Sequence, residues 1–237
     1  MRICQLETDD GEEVVYKSTG RGKPVLLIHG FTMWSEMWTT NGVVQKLRDD
    51  YKVIIPDLRG HGLSSRPHSQ SAYGVKLLDD MAAILDREAT EKVDIVGFSL
   101  GAELTLKLAT SMPFRISSVF LIGSGWTREN GVALYREFAL WARENRAGLT
   151  PRPDYDAFDA LAEGMSEIID VPKTELEQIR LPCTGLVGGD DPEYVNLEAL
   201  SGVVPGFGLA VMPGVPHETS WRDPSVPDRV RNFVDSA

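Results

Sequence analysis

Residues 95–106, IVGFSLGAELTL, run from an apolar segment through Gly97-Phe98-Ser99-Leu100-Gly101 into a segment of helical character. A chain that leaves a buried strand and turns at once into a helix forces the residue at the corner into a strained backbone conformation. It also brings strand and helix backbones close together. Glycine on both sides removes the side chains that would collide there. The hydroxyl of Ser99 is then presented at the C-terminal end of the strand, beside the free N–H groups that open the next helix, where developing negative charge is favoured.

The rest of the chain repeats this strand-then-helix grammar. Short apolar runs stand at 24–30 (PVLLIHG), 51–57 (YKVIIPD), 92–98 (KVDIVGF), 117–123 (SSVFLIG), 183–189 (CTGLVGG) and 208–214 (GLAVMPG). Runs this rich in Val, Ile and Leu, most of them closed by Gly or Pro, suit strands buried on both faces, as a parallel sheet requires. Helical stretches at 74–89, 99–111 and 224–235 alternate with them, which predicts an α/β fold with a mostly parallel, doubly wound sheet. Two extended pieces around Asp10-Gly11 predict an antiparallel hairpin at one edge. Between 123 and 182 the periodicity is helical without a strand. A structureless loop of that length is improbable in a compact domain, so residues 126–180 are expected to form a helical cap insertion within a single domain spanning 1–237.

Composition narrows the partners. At 237 residues and 42% apolar content, the chain is long enough to bury a large core. A formal charge of −11 with no basic stripe argues against nucleic acid or an anionic membrane as partner. The N-terminal MRICQLETDD lacks the apolar core of a signal peptide, and no run is long enough to span a bilayer, so a cytoplasmic location is expected. Cys4 and Cys183 have no spacing that suggests a disulfide framework or a metal site. No phosphate-loop or metal signature is present, so neither cofactor nor metal is expected. Oligomeric state is left open.

A serine hydroxyl is a weak nucleophile unless a base takes its proton, and histidine is the usual base near neutral pH. Of the four histidines, His29, His61, His68 and His217, only the last follows Ser99, in the chain order serine, acid, histidine expected of such a corner. His217 lies just past the last apolar run. The acid must come from between them, and Asp190 and Asp191 stand directly after the 183–189 run. Either carboxylate could hold the imidazole in its working tautomer.

With these residues in hand, the chain resembles the α/β-hydrolase fold superfamily, and in particular its serine esterases, over nearly its whole length. HGFTMWSEMW (29–38) resembles the His-Gly oxyanion loop, and PDLRGHGLSS (56–65) the Asp-x-Arg-Gly-x-Gly-x-Ser loop. GFSLG (97–101), GGDDP (188–192) and GVPH (214–217) resemble the nucleophile, acid and base segments in the family's order. Pro216 departs from the glycine common before the base. The resemblance implies Ser99 as nucleophile and His217 as general base, with an oxyanion hole from the backbone N–H groups of Phe31 and Leu100. The family's acid lies three residues after the glycine that ends its strand, a spacing met by Gly188 and Asp191. That implies Asp191 as the acid and leaves Asp190 to shape the turn. It also implies that His29 braces the oxyanion loop, and that Asp57, Arg59 and His61 shape their own turn.

In this fold, haloalkane dehalogenases and epoxide hydrolases carry aspartate at the corner and form alkyl esters; serine implies an acyl-enzyme and transfer to water. The expected activity is a carboxylic ester hydrolase on small to medium acyl esters. Lactonase, thioesterase, perhydrolase or carbon–carbon bond hydrolase activity on the same triad are the alternatives, and so is a non-catalytic binding protein or receptor of this fold. Met33, Trp126, Phe138 and Trp141 are the candidates to line an apolar substrate pocket, against the alternative that such residues pack the insertion onto the sheet.

Overall fold

The computed structural model describes residues 1–127, 131–145, 151 and 153–237. The parts of the expected insertion at 128–130, 146–150 and 152 lie outside the described residues.

Eight strands form one sheet: β1 (Arg2–Glu7), β2 (Glu13–Thr19), β3 (Lys23–Ile28), β4 (Tyr51–Pro56), β5 (Val93–Phe98), β6 (Ile116–Ile122), β7 (Cys183–Gly188) and β8 (Gly208–Met212). Their spatial order is β1-β2-β4-β3-β5-β6-β7-β8. Both pairings of β2, with β1 and with β4, are antiparallel, and all the others are parallel. Each of the six apolar runs has become a strand, and the piece around Asp10-Gly11 is the hairpin at the edge.

The central strands β3 to β7 are buried on both faces, with successive side chains pointing to opposite sides. Leu26 and Ile28, Ile54, Val93 and Ile95, and Val119 and Leu121 point into one core cluster. Their neighbours Val25 and Leu27, Val53 and Ile55, Val96 and Phe98, and Phe120 and Ile122 point into the other.

Among the described residues ten α-helices accompany the sheet: α1 (Glu36–Thr40), α2 (Val43–Leu47), α3 (Lys76–Arg87), α4 (Leu100–Ser111), α5 (Gly131–Asn145), α6 (Tyr155–Gly164), α7 (Lys173–Leu176), α8 (Tyr194–Glu198), α9 (His217–Ser220) and α10 (Val226–Ser236). The first cluster is covered by α3, through Leu77, Leu78, Met81, Ile84 and Leu85, by α4, and by side chains of α5 and α6. The second is covered by α1, α2 and by Val226, Val230 and Val234 of α10. These spacings of three and four residues put one apolar stripe on each helix.

Between β6 and β7 the described residues contain helices α5, α6 and α7 and no strand. Cys4 and Cys183 are free thiols, on β1 and β7. No described helix is long and apolar enough to cross a membrane.

Candidate active site

The corner between β5 and α4 is as tight as its sequence demands. Ser99 has φ 53° and ψ −118°, a conformation unfavourable for any residue with a side chain. A Cβ on Gly97 would lie 2.1 Å from the Gly101 carbonyl oxygen, and one on Gly101 would lie 2.3 Å from that of Ile28. Both obstacles are backbone atoms of packed elements, so neither can swing aside. Gly97→Ala should therefore lower the unfolding free energy in urea by about 2–3 kcal/mol, the cost of overpacking a rigid site. A variant with wild-type stability would show that β5 and α4 are farther apart than described.

His217 is the first residue of α9, and it reaches both candidate partners. Its Nε2 lies 3.0 Å from Ser99 Oγ and its Nδ1 2.9 Å from Asp191 Oδ2. With the Nδ1 proton donated to Asp191, Nε2 is left to accept the serine hydroxyl proton. The Asp191 side chain is fully buried, and its Oδ1 accepts the Glu193 N–H at 2.9 Å. Asp190 points instead to solvent. Burial pulls the His217 pKa down, but the hydrogen bond and charge of Asp191, with the charges of Glu193 and Glu218, raise it above the ordinary imidazole value. The Phe98 ring stacks on the imidazole at 5.4 Å. Pro216 meets no conflict, because its φ of −82° and ψ of 165° are extended values that proline adopts.

The loop after β3 faces this corner. A turn closed by Met33 N–H donating to Gly30 O places Thr32 at φ 62°. Phe31 sits at its second position, where the turn bond makes no use of the N–H. Leu100 opens α4, where the first N–H groups have no partner within the helix.

Two buried imidazoles hold the loop. His29 Nε2 accepts the Leu58 N–H at 3.0 Å while Nδ1 donates to Gly30 O, and His61 Nε2 accepts the Thr32 N–H while Nδ1 donates to Arg59 O. Burial keeps both neutral by lowering their pKa values. Asp57 accepts the N–H groups of Ser35 and Leu63, and Arg59 is taken up by Asp80 and Asp10. These four residues therefore tie the loops together.

The apolar candidates separate. Phe138 is half-buried beside Tyr135, with ring centroids 6.2 Å apart. Tyr135 in turn meets Phe31 at 5.7 Å, and Phe158 of α6 meets it at 5.3 Å, so α5 and α6 lie against the loop that carries Phe31. Met33 is half-buried against the other cluster. Trp126 is buried, with its Nε1–H donated to Val171 O at 2.9 Å, an arrangement that packs the start of the β6–β7 segment against a later part of it. Trp141 is 50% exposed and lies outside the buried α5 stripe of Tyr135, Ala139 and Ala142.

One group was not anticipated from the sequence. Glu103, one turn after Ser99, and Glu193, two residues after Asp191, are both buried and share the hydroxyls of Ser124 and Thr127. The only sequence signal for it is a glutamate within the apolar start of α4.

The model of the family described as alpha/beta hydrolase fold matches residues 23–161. Among curated relatives, the chain is 37% identical over 127 residues to a 2-hydroxy-6-oxo-2,4-heptadienoate hydrolase of Pseudomonas putida, covering 52% of this chain and 45% of that protein. It is 30% identical over 108 residues to a pimeloyl-[acyl-carrier protein] methyl ester esterase of Nitrosomonas europaea, covering 46% and 40%. The chain thus spans less than half the length of these relatives. A solved thermophilic esterase of Thermogutta terrifontis superposes with a TM-score of 0.83 at 24% identity, covering 100% of this chain and 99% of that one, a likeness of fold.

Proposed function

The chain belongs to the α/β-hydrolase fold family, and from that premise we propose that it is a serine hydrolase cleaving carboxylic esters of small to medium acyl chains through an acyl-enzyme on Ser99. The observation that carries this reading is the single imidazole within hydrogen-bond distance of both Ser99 Oγ and a fully buried carboxylate. In the first step Ser99 Oγ attacks the ester carbonyl carbon and its proton passes to His217 Nε2. The tetrahedral oxyanion is held by the N–H groups of Phe31 and Leu100, donors of a kind worth about 10²–10³ in rate. Collapse of that intermediate expels the alcohol, which takes the proton from His217. Water, deprotonated by the same nitrogen, then releases the acid and restores Ser99. Asp191 stabilises the imidazolium formed in each half-reaction.

A second reading, hydrolysis of a carbon–carbon bond on the same residues, is favoured by the 37% identity to the dienoate hydrolase. Turnover of a panel of p-nitrophenyl esters, lactones, acyl thioesters and a vinylogous diketone separates the two. The ester reading expects the highest kcat/KM on esters, and a preference for the diketone overturns it.

The same reading makes the 126–180 segment a cap over the acyl site, supported by the contacts of Tyr135 and Phe158 with Phe31. Phe138→Ala should then change the ratio of rates on short and long acyl esters by about 10-fold, because one pocket contact is worth roughly 1–3 kcal/mol. The rate at which a fluorophosphonate labels Ser99 should stay near wild type. An unchanged chain-length ratio would remove Phe138 from the pocket.

A further inference from the structure

The Glu103–Glu193 cluster is short of protons. Ser124 Oγ lies 2.9 Å from Glu103 Oε1 and 3.2 Å from Glu193 Oε2. Thr127 Oγ1 makes a short contact with the same Glu103 oxygen and lies 3.5 Å from the same Glu193 oxygen. Four hydroxyl–carboxylate contacts therefore have only two hydroxyl protons to fill them. Were both carboxylates ionised, two of the four would set lone pairs against each other in a buried site, where nothing screens the repulsion. One further proton on the pair fills a third contact and leaves unfilled only one, the longest being that at 3.5 Å. Two donors outside the four contacts add to the site: Tyr135 OH donates to the other Glu103 oxygen, Oε2, at 2.8 Å, and Asn196 Nδ2 donates at 2.8 Å to the same Glu193 Oε2 that faces the two hydroxyls.

We propose that Glu103 and Glu193 hold one proton between them through Ser124 and Thr127, and that the pair acts on His217 as a set of positioning residues whose titration is joined to that of the imidazole. The inference rests on the reading of His217 as the general base. The connection runs through Glu193, whose N–H holds the Asp191 carboxylate and whose charge is among those that raise the His217 pKa. Burial, together with the Glu193 charge, lifts the Glu103 carboxyl to about 7 against the lowering effect of its hydroxyl donors. It therefore loses its proton near neutral pH, close to where an ordinary imidazole titrates.

The groups acting on this centre come from each element around it: Glu103 from α4, Tyr135 from α5, Asp191 and Glu193 from the β7–α8 loop, and His217 and Glu218 from α9. Burial pushes the Tyr135 pKa up, so its hydroxyl remains a donor throughout. The sign of the coupling follows from charge. Losing the shared proton adds a buried negative charge that favours the imidazolium, and losing the imidazolium proton removes the cation that favours a doubly ionised pair. Each proton lost makes the next harder to lose, so His217 should titrate over a wider range than an isolated group.

The test is an NMR titration of the His217 ring in full-length protein with labelled histidine, the resonance being assigned by its absence in His217→Asn. In the wild type the transition should have a Hill coefficient clearly below 1, about 0.7. Glu103→Gln keeps an amide in the network but removes its titration, and should restore a coefficient near 1. Glu193→Gln takes away a charge that helps to raise the His217 pKa, and should lower the His217 midpoint by about 0.5 unit or more, moving the acid limb of kcat/KM with it. A wild-type titration with a coefficient of 1 overturns the proposal without any variant, and so does a midpoint unchanged in folded Glu193→Gln. Failure of the hydrolase reading is told apart by fluorophosphonate labelling. A broad titration in a protein that never labels removes the hydrolase and keeps the pair, and a simple titration in one that labels does the reverse.

Discussion

Ser99→Ala, His217→Ala and the double variant should all lose turnover on an activated ester by about the same factor, on the order of 10⁴–10⁶. In the proposed mechanism the two side chains perform one event. Oγ becomes a nucleophile only as its proton moves to Nε2, across the 3.0 Å contact between them. Once either atom is gone the other has nothing to act on, so the second substitution removes little more. Residual catalysis over water would come from the Phe31 and Leu100 N–H groups and from binding, which side-chain truncation leaves in place. Losses that multiply in the double variant would mean that Ser99 and His217 work independently, and turnover surviving in Ser99→Ala would move the nucleophile elsewhere.

The adjacent aspartates give the second large effect. Asp191→Asn should lower kcat by up to about 10⁴-fold while the protein stays folded. An amide at that position leaves the His217 Nδ1–H without its anion and admits the wrong tautomer. Asp190→Asn should cost less than about 3-fold, since its side chain faces solvent on a turn. The contrast tests the register directly, because the two residues are neighbours with the same chemistry and differ only in where they point. Kinetics on both variants, after circular dichroism confirms each fold, decide it. A crippled Asp190→Asn beside an active Asp191→Asn would shift the acid by one residue.

Much of this arrangement is legible in the sequence. Strands β3 to β7 are visible because each is largely buried on both faces, which leaves an unbroken apolar run between punctuating residues, and the partly exposed edge strand β8 keeps such a run as well. The glycines at 97 and 101 announced the corner because no other residue fits where β3, β5 and α4 approach. The short helices α1, α2, α8 and α9, each four or five residues long, left no periodic trace, since a single turn of helix is too brief for one.

Side-chain direction was the harder quantity. Trp141 and Phe138 read alike as apolar residues of one helix, yet Trp141 falls beyond the buried stripe while Phe138 borders it. Glu103 and Glu193 are ninety positions apart, and nothing in either local stretch says that the fold will bring them to the same two hydroxyls. Such pairings exist only once β6 and β7 lie side by side in the sheet.

The central claim is that His217 and Asp191 activate Ser99 for acyl transfer. Its most direct measurement is the intact mass of the protein after exposure to a fluorophosphonate, with the modified residue mapped by peptide sequencing. The structure predicts a single adduct, on Ser99, formed rapidly in the wild type and lost in Ser99→Ala. In His217→Ala, where no base takes the hydroxyl proton, labelling should slow by several orders of magnitude. An unlabelled wild type, or an adduct on Ser99 that forms equally fast without His217, would contradict it.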